Sequence, residues 1–182
     1  FAQSVHNASK RAGRPFLAIN CAAIPENLLE SLLFGTEKGA YTGAECRPGL
    51  FEQANGGTLL LDEINSMNIN LQSKLLRVLQ DGVIRRVGGA DEIYVDVRVL
   101  SNINTPPYQA IEENKLRRDL FYRLGVVNIT IPPLRERKED IPVLAKYFMM
   151  RYNEKLSRSI QDVDREVLRR FQAYNWPGNV RE

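Results

Sequence analysis

The stretch Gly56-Gly57-Thr58-Leu59-Leu60-Leu61-Asp62-Glu63 decides the fold of this sequence. The two glycines predict a turn, the apolar run predicts a buried strand, and two acids follow where that strand ends. In α/β proteins, ligands bind at the carboxyl ends of parallel strands. An acid there can hold Mg²⁺, and a second can orient an attacking water. Alternatively, Asp62 caps the next helix and Glu63 is merely solvated, so the motif alone leaves both interpretations open.

Strand and helix patterns alternate on both sides of this stretch. Apolar runs predict further strands at Phe16–Asn20, Val97–Ser101 and Val126–Ile131, and a hairpin from Ile84 to Val97. Helices are predicted after Pro25, over Leu71–Leu79 and over Arg117–Leu124. Only helical spacing follows Arg137. We therefore expect an α/β domain with a mainly parallel sheet and flanking helices over residues 1–137, followed by a small all-helical domain over 138–182.

The composition is that of a globular protein, with 43% apolar and 26% charged residues among 182. A net charge of +3 is too small to indicate nucleic acid as the main partner of this region. Cys21, Cys46 and the single His6 exclude a disulfide framework and a four-ligand zinc site. No apolar run is long enough to span a membrane, so we expect a cytoplasmic protein without membrane contact.

Both ends of the sequence predict a piece of a longer protein. Residues 1–9 have the pattern of a helix already under way, with Phe1, Val5 and Ala8 on one face. The closing residues Trp176–Glu182 predict a turn and the start of another helix.

Other residue types that could support chemistry lie in short segments. The loop Gly39–Ala44 carries one aromatic side chain, Tyr41, which could anchor a partner, although an ordinary surface loop with Tyr41 folded onto the core fits better on these residues alone. Asn20 and Asn104 each follow an apolar strand and could orient water or Glu63, or simply form turns. The arginines of 117–123 could reach a phosphate or form a solvated helix face.

Four segments in order resemble one family. They are Glu37–Ala44, Phe51–Ile64, Leu134–Ile141 and Trp176–Glu182, and together they extend over nearly the whole chain. They are similar to the signature motifs of bacterial enhancer-binding proteins, the AAA+ ATPases that activate the sigma-54 form of RNA polymerase. Several stretches are also similar to arginine-utilisation regulators of Gram-positive bacteria. The resemblance implies an AAA+ P-loop-type α/β subdomain with a helical lid subdomain, truncated at both ends.

The resemblance also implies roles for individual residues. Asp62 would help to hold Mg²⁺, Glu63 would polarise the hydrolytic water, and Asn20 would be the switch residue that restrains Glu63. Asn104 would be sensor I, Arg117 and Arg123 would be arginine fingers that act on a neighbouring subunit, and Arg181 would be sensor II. The nucleotide-binding set implied is Ala54, Asn55, Gly56, Gly57, Thr58, Leu59, Leu60, Leu61, Asp62 and Arg181. The sigma-54 contact loop implied is Gly39, Ala40, Tyr41, Thr42, Gly43 and Ala44.

The sequence departs from the family pattern in three places. The Walker A loop is not found, so we expect residues 1–182 alone to bind and hydrolyse ATP poorly. Tyr41 replaces the usual Phe, which keeps the ring and adds a hydroxyl. Ser101-Asn102-Ile103-Asn104 replaces the usual Ala-Ala-Thr-Asn of sensor I.

The expected function is that of a central ATPase domain in a transcriptional activator that remodels the closed promoter complex. The resemblance implies ATP and Mg²⁺ as cofactors, sigma-54 as partner, DNA binding through a separate C-terminal domain, and a homo-oligomer, expected to be a hexamer. Two alternatives stay open: a clamp-loader or helicase-loader ATPase, and a scaffold of the same fold that has lost hydrolysis.

Overall fold

A three-stranded parallel sheet lies at the centre of the first part of the chain. The computed structural model describes residues 1–182, which divide into two units, Phe1–Val127 and Asn128–Glu182. The strands are β1 (Phe16–Asn20), β2 (Gly35–Thr36), β3 (Arg47–Pro48), β4 (Thr58–Asp62), β5 (Val83–Ile84), β6 (Ile93–Tyr94) and β7 (Arg98–Ser101). The helices are α1 (Ala2–Asn7), α2 (Glu26–Phe34), α3 (Leu50–Gln53), α4 (Ile69–Asp81), α5 (Pro107–Glu112), α6 (Arg118–Leu124), α7 (Ile141–Leu156) and α8 (Arg165–Ala173).

The central sheet has the order β1-β4-β7, and both pairings are parallel. Leu59 and Leu61 of the middle strand are fully buried, as expected for a parallel strand that is covered on both faces. The register places Asn20 beside Asp62, and Leu61 beside Ser101. The predicted strand-end residues are therefore gathered at one edge of the sheet.

Helix α4 shows how local sequence signals position the elements around this sheet. The side chain of Asn68 accepts a hydrogen bond from the backbone N–H of Leu71 and caps the start of the helix. Gly82 ends it in the left-handed conformation, with φ of 67°. Between these caps, Leu71, Leu75 and Val78 are buried in the core of the first unit.

The α/β prediction for the first part of the chain is confirmed, but one predicted strand is wrong. Residues 126–131 form neither helix nor strand, and their apolar side chains are exposed, up to 83% at Val126. A strand needs a neighbour for its backbone hydrogen bonds, and no strand of residues 1–182 pairs with this segment.

The second unit is helical, as predicted, and begins before residue 138. The backbone N–H of Leu134 donates to the side chain of Asn179 at 2.9 Å, and Leu134 is buried. These contacts join residues 134–136 to the helical unit, which extends from Asn128 to Glu182, while the boundary after Arg137 stays a prediction. Neither unit has a helix that combines the length and hydropathy of a membrane span.

Candidate functional site

The candidate site is built around the two acids at the carboxyl end of β4. Asp62 is the last residue of the strand, and a single 3-10 turn begins directly afterwards at Ile64. This abrupt change forces Glu63 between them into the left-handed region, at φ 55° and ψ 52°. A non-glycine residue pays roughly 1 kcal/mol for that conformation, and such residues are concentrated at functional sites.

Asn20 lies beside these acids at the end of β1 but does not bind Glu63. Its side-chain oxygen accepts hydrogen bonds from the backbone N–H groups of Ala22 and Ala23, at 2.8 and 3.2 Å. The residue therefore shapes the turn that leaves the sheet, and no hydrogen bond joins it to Glu63 in this structure. The role of Asn20 as a switch residue stays a prediction.

The pKa of the Cys21 thiol is affected by the negative charge at this edge of the sheet. Burial, and to a smaller extent the negative charges of Asp62 and Glu63, raise its pKa to about 11. The backbone N–H of Cys21 donates to the carbonyl of Asp62 at 2.9 Å. Both carboxylates thus lie close to the thiol, next to the same strand end.

Three asparagines complete the edge, and the sequence pointed to only one of them. The side-chain oxygen of Asn102 accepts the backbone N–H of Glu63 at 2.7 Å. The side chain of Asn65 donates to the side-chain oxygen of Asn104 at 2.9 Å. Asn102 is the first residue after β7, so its place beside the acids could have been inferred once the order β1-β4-β7 was assumed.

The side-chain oxygens at this edge suit a Mg²⁺ ion that is also bound by the phosphates of a nucleotide. They are carboxylate and amide oxygens, the type that Mg²⁺ prefers. A metal site formed by protein ligands alone would need several such side chains close together. No group of three or more His, Cys, Asp or Glu side chains is close enough to bind one metal ion. Mg²⁺ typically binds one or two carboxylates together with substrate phosphates, and this set fits that mode. The side-chain oxygens of Asn65 and Thr105 are buried at this edge without hydrogen-bond partners.

The remaining residues of the predicted nucleotide-binding set form the turn and strand that lead to Asp62. Ala54, Thr58, Leu59 and Leu61 are fully buried. Gly57 packs so tightly that an added Cβ would lie 2.2 Å from the carbonyl oxygen of Pro15. The set also includes Asn55, Gly56 and Leu60. Of this stretch, only Asp62 lies at the carboxyl edge of the sheet, and the others position it.

The predicted arginine fingers are engaged locally. Arg117 precedes α6 and forms a two-pronged ion pair with Asp119, at 3.0 and 2.7 Å. Arg123 donates from Nε and Nη2 to the carbonyl oxygen of Leu79 in α4, at 3.2 and 2.9 Å. The proposed sensor residue Arg181 lies in the second unit, where it lines a cavity of about 650 Å³.

The loop Gly39–Ala44 exposes its aromatic side chain. Gly39 and Gly43 both have positive φ, 86° and 83°, which favours glycine at these two positions. The backbone N–H of Ala44 donates to the carbonyl of Tyr41 at 2.9 Å and closes the turn. Tyr41 is 53% exposed, so the alternative in which its ring folds onto the core is not what the structure shows.

Arg86 ties the base of this loop to the rest of the first unit, and no sequence pattern predicted this role. Its guanidinium donates to both carboxylate oxygens of Glu52, at 2.9 and 2.6 Å, and to Glu37 at 3.0 Å. Glu37 precedes the loop, and its backbone N–H donates to the carbonyl of Val87. The loop is therefore anchored to the segment that follows β5.

Comparison with known families places this chain. A family model described as the sigma-54 interaction domain matches residues 1–130, and one described as the AAA+ ATPase lid domain matches residues 135–182. The chain belongs to the sigma-54 interaction domain family. The family and the AAA+ fold predicted from the sequence are thereby confirmed.

Curated relatives of this sigma-54 interaction domain are named as regulators of transcription. The chain is 54% identical over its whole length to the transcriptional activator RocR of Bacillus subtilis and 50% identical to the regulatory protein AtoC of Escherichia coli. It is also 50% identical to the Nif-specific regulatory protein of Azotobacter vinelandii. It spans 40% of the length of the first two relatives and 35% of the third.

Solved structures of NtrX from Brucella abortus share the fold of this sigma-54 interaction domain. The complexes with ADP and with ATP both superpose with a TM-score of 0.90 at 39% identity. Each match covers 99% of this chain and 39% of NtrX. A structure of Hsp104 with ATPγS is similar at 18% identity and a TM-score of 0.60, a likeness of fold alone.

Proposed function

We propose that this sigma-54 interaction domain is the ATP-hydrolysing central part of a transcriptional activator that remodels sigma-54 RNA polymerase at a closed promoter. The observation that carries the proposal is the end of β4, where Asp62 and Glu63 lie beside Asn20 and Asn102 at one sheet edge. Whole-chain similarity to proteins named as transcriptional activators supports the same function.

The chemistry at this edge divides between the two acids. Bound Mg²⁺ would neutralise charge on the phosphates, and Asp62 would hold it. Glu63 would accept a hydrogen bond from the attacking water and polarise it. Asn104 would sense the nucleotide, since its side chain already belongs to the polar network of this edge. A glycine-rich phosphate loop is not found within residues 1–182, and we propose that the intact protein supplies it.

Arg117 and Arg123 would act on the nucleotide of a neighbouring subunit. Both sit at the surface, and their present partners are Asp119 and the carbonyl oxygen of Leu79. Exposed pairings of this kind contribute at most about 1 kcal/mol, so a phosphate could compete for them. Action between subunits requires a ring, and we propose a homo-hexamer in the cytoplasm, with DNA bound through a separate domain.

The loop Gly39–Ala44 would carry the output of hydrolysis to sigma-54. Its exposed Tyr41 is an aromatic anchor of the type that dominates protein contacts. Its base is linked through Glu37 and Arg86 to Glu52 of α3, so a movement in the first unit can reach the loop.

Phosphate release by the intact protein tests the enzymatic part of this proposal. We expect ATP turnover that Glu63→Gln abolishes and that Tyr41→Ala leaves within about twofold, because the loop does not touch the acids. Equal, low release from the wild type and Glu63→Gln would favour a scaffold without hydrolysis.

A crosslinker placed at position 41 tests the partner. Capture of sigma-54, together with loss of transcriptional activation in Tyr41→Ala, is the expected result. Capture of a DNA polymerase or helicase component would instead indicate a loader ATPase.

A further inference from the structure

We propose that Asn102 is a positioning residue that holds Glu63 in its working conformation, an inference that rests on the proposed ATPase function. Asn102 binds the chain on both sides of Asp62 and Glu63. Its backbone N–H donates to the carbonyl of Leu61 at 3.1 Å, and its carbonyl accepts from the N–H of Ile64 at 3.1 Å. Between them, its side-chain oxygen accepts the N–H of Glu63 at 2.7 Å.

The conformation of Glu63 makes this side-chain bond consequential. Glu63 has φ of 55°, in a region that non-glycine residues adopt only when their surroundings compensate the strain. The two backbone bonds of Asn102 fix Leu61 and Ile64, which flank the acids, but only its side chain reaches Glu63 itself. Without that acceptor, the Glu63 backbone can relax towards ordinary conformations, and its carboxylate then leaves the position that a polarised water needs.

The hydrogen bond between the Asn102 side chain and Glu63 is specific to this sequence, because the motif that Ser101–Asn104 resembles cannot form it. The usual Ala-Ala-Thr-Asn has alanine in the place of Asn102, and an alanine side chain accepts no hydrogen bond. Compared with that pattern, the stretch Ser101–Asn104 loses the polar group of the third position at Ile103 and gains polar groups at Ser101 and Asn102. Of the two gained groups, the one at Asn102 binds the backbone N–H of Glu63.

Truncation of Asn102 is a clean test because the residue is exposed and its backbone bonds survive. In the intact protein, we expect Asn102→Ala to lower kcat for ATP about fivefold, the loss of roughly one hydrogen bond, with KM changed less than about twofold. Asn102→Asp keeps an acceptor oxygen of the same reach and should retain most of the wild-type kcat. Ser101→Ala is the matched control, since Ser101 is also exposed and its side chain makes no hydrogen bond.

The outcomes separate this inference from the proposed function. Full kcat in Asn102→Ala overturns the positioning role while leaving the ATPase proposal intact. Equal losses in Asn102→Ala and Asn102→Asp, with a lowered melting temperature, also overturn it, because they indicate a structural role. Absence of turnover in the wild type overturns the ATPase proposal, and the positioning role with it. A kcat loss confined to Asn102→Ala, at unchanged melting temperature, supports the inference.

Discussion

Arg86 joins three segments of the first unit, because its guanidinium donates hydrogen bonds to Glu37, Cys46 and Glu52. Its side chain is 19% exposed and that of Glu52 is 15% exposed, so their two-pronged pair is largely shielded from water. The hydrogen bonds that Arg86 donates to Glu52 and Glu37 raise its pKa. A charged pair with this geometry contributes more than a surface ion pair, and removal of one partner leaves the other uncompensated.

We expect Arg86→Ala to lower the free energy of unfolding by about 1.5–3 kcal/mol, the range for hydrogen bonds to charged groups. Urea denaturation followed by circular dichroism measures it. Arg85→Ala is the neighbouring control, because Arg85 is exposed and pairs with the exposed Glu92, so its loss should cost under about 1 kcal/mol. A similar, small effect for both variants would contradict the shielded pair.

The same pair makes stability depend on pH. The hydrogen bonds from Arg86, before all other causes, hold the pKa of Glu52 below its ordinary value of 4.5. A carboxylate whose pKa is lower in the folded state stabilises the fold above its unfolded pKa, and this contribution is lost as the pH falls through the folded value. We therefore expect the stability difference between the wild type and Glu52→Gln to be full near pH 7 and to shrink below about pH 4.5. A difference that is independent of pH would show that Glu52 acts through packing and not through its charge.

At the scale of elements, the loop Gly39–Ala44 is held against the segment after β5 by close backbone packing. Gly88 has φ of 79°, and a Cβ built on it would lie 2.7 Å from the Cβ of Ala40. Real Cβ contacts are never this short, so the two segments fit together only with glycine at position 88. The contact adds to the Arg86–Glu37 pair and fixes where the loop begins.

We expect Gly88→Ala to displace the loop and to destabilise the first unit by about 1–3 kcal/mol, through the positive φ and the contact with Ala40. Gly43→Ala is the matched variant, because Gly43 also has positive φ, 83°, but an added Cβ meets nothing within 4 Å. Crosslinking from position 41 to sigma-54 in the intact protein should fall more in Gly88→Ala than in Gly43→Ala. The reverse order would show that strain within the loop matters more than its support.

The elements were predictable from the sequence wherever local signals sufficed. Helices α2 and α4 end at glycines, Gly35 and Gly82, as their spacing predicted. That acidic residues lie at the carboxyl end of a buried strand was predictable, since Asp62 follows an apolar run. The hydrogen-bond partner of Glu63 was not predictable. Asn102 lies beside Glu63 only because β4 and β7, which are far apart in the sequence, are neighbours in the sheet. For the same reason, no local pattern could pair Arg86 with Glu52.

Residues 126–131 have the sequence pattern of a strand but form none. Val126, Val127, Ile129 and Ile131 are exposed, although their alternation with polar neighbours and their β-branching favour a sheet. The strand β7 is an edge of the central sheet, so its outer side is also unpaired within residues 1–182. Unpaired edges and exposed apolar segments are places where a further strand can add.

Limited proteolysis compares this segment in two contexts. Thermolysin cleaves before bulky apolar residues, and exposed chain without helix or strand is its preferred substrate. In residues 1–182 alone, we expect the first cleavage at Val126, Val127, Ile129 or Ile131, with products identified by mass spectrometry. In the intact protein we expect the same sites to be protected, because a strand from elsewhere in that protein would hydrogen-bond with the segment and bury its side chains. Equal cleavage in both contexts would mean that residues 126–131 stay a solvent-exposed connection, and that their apolar pattern serves some purpose other than sheet formation.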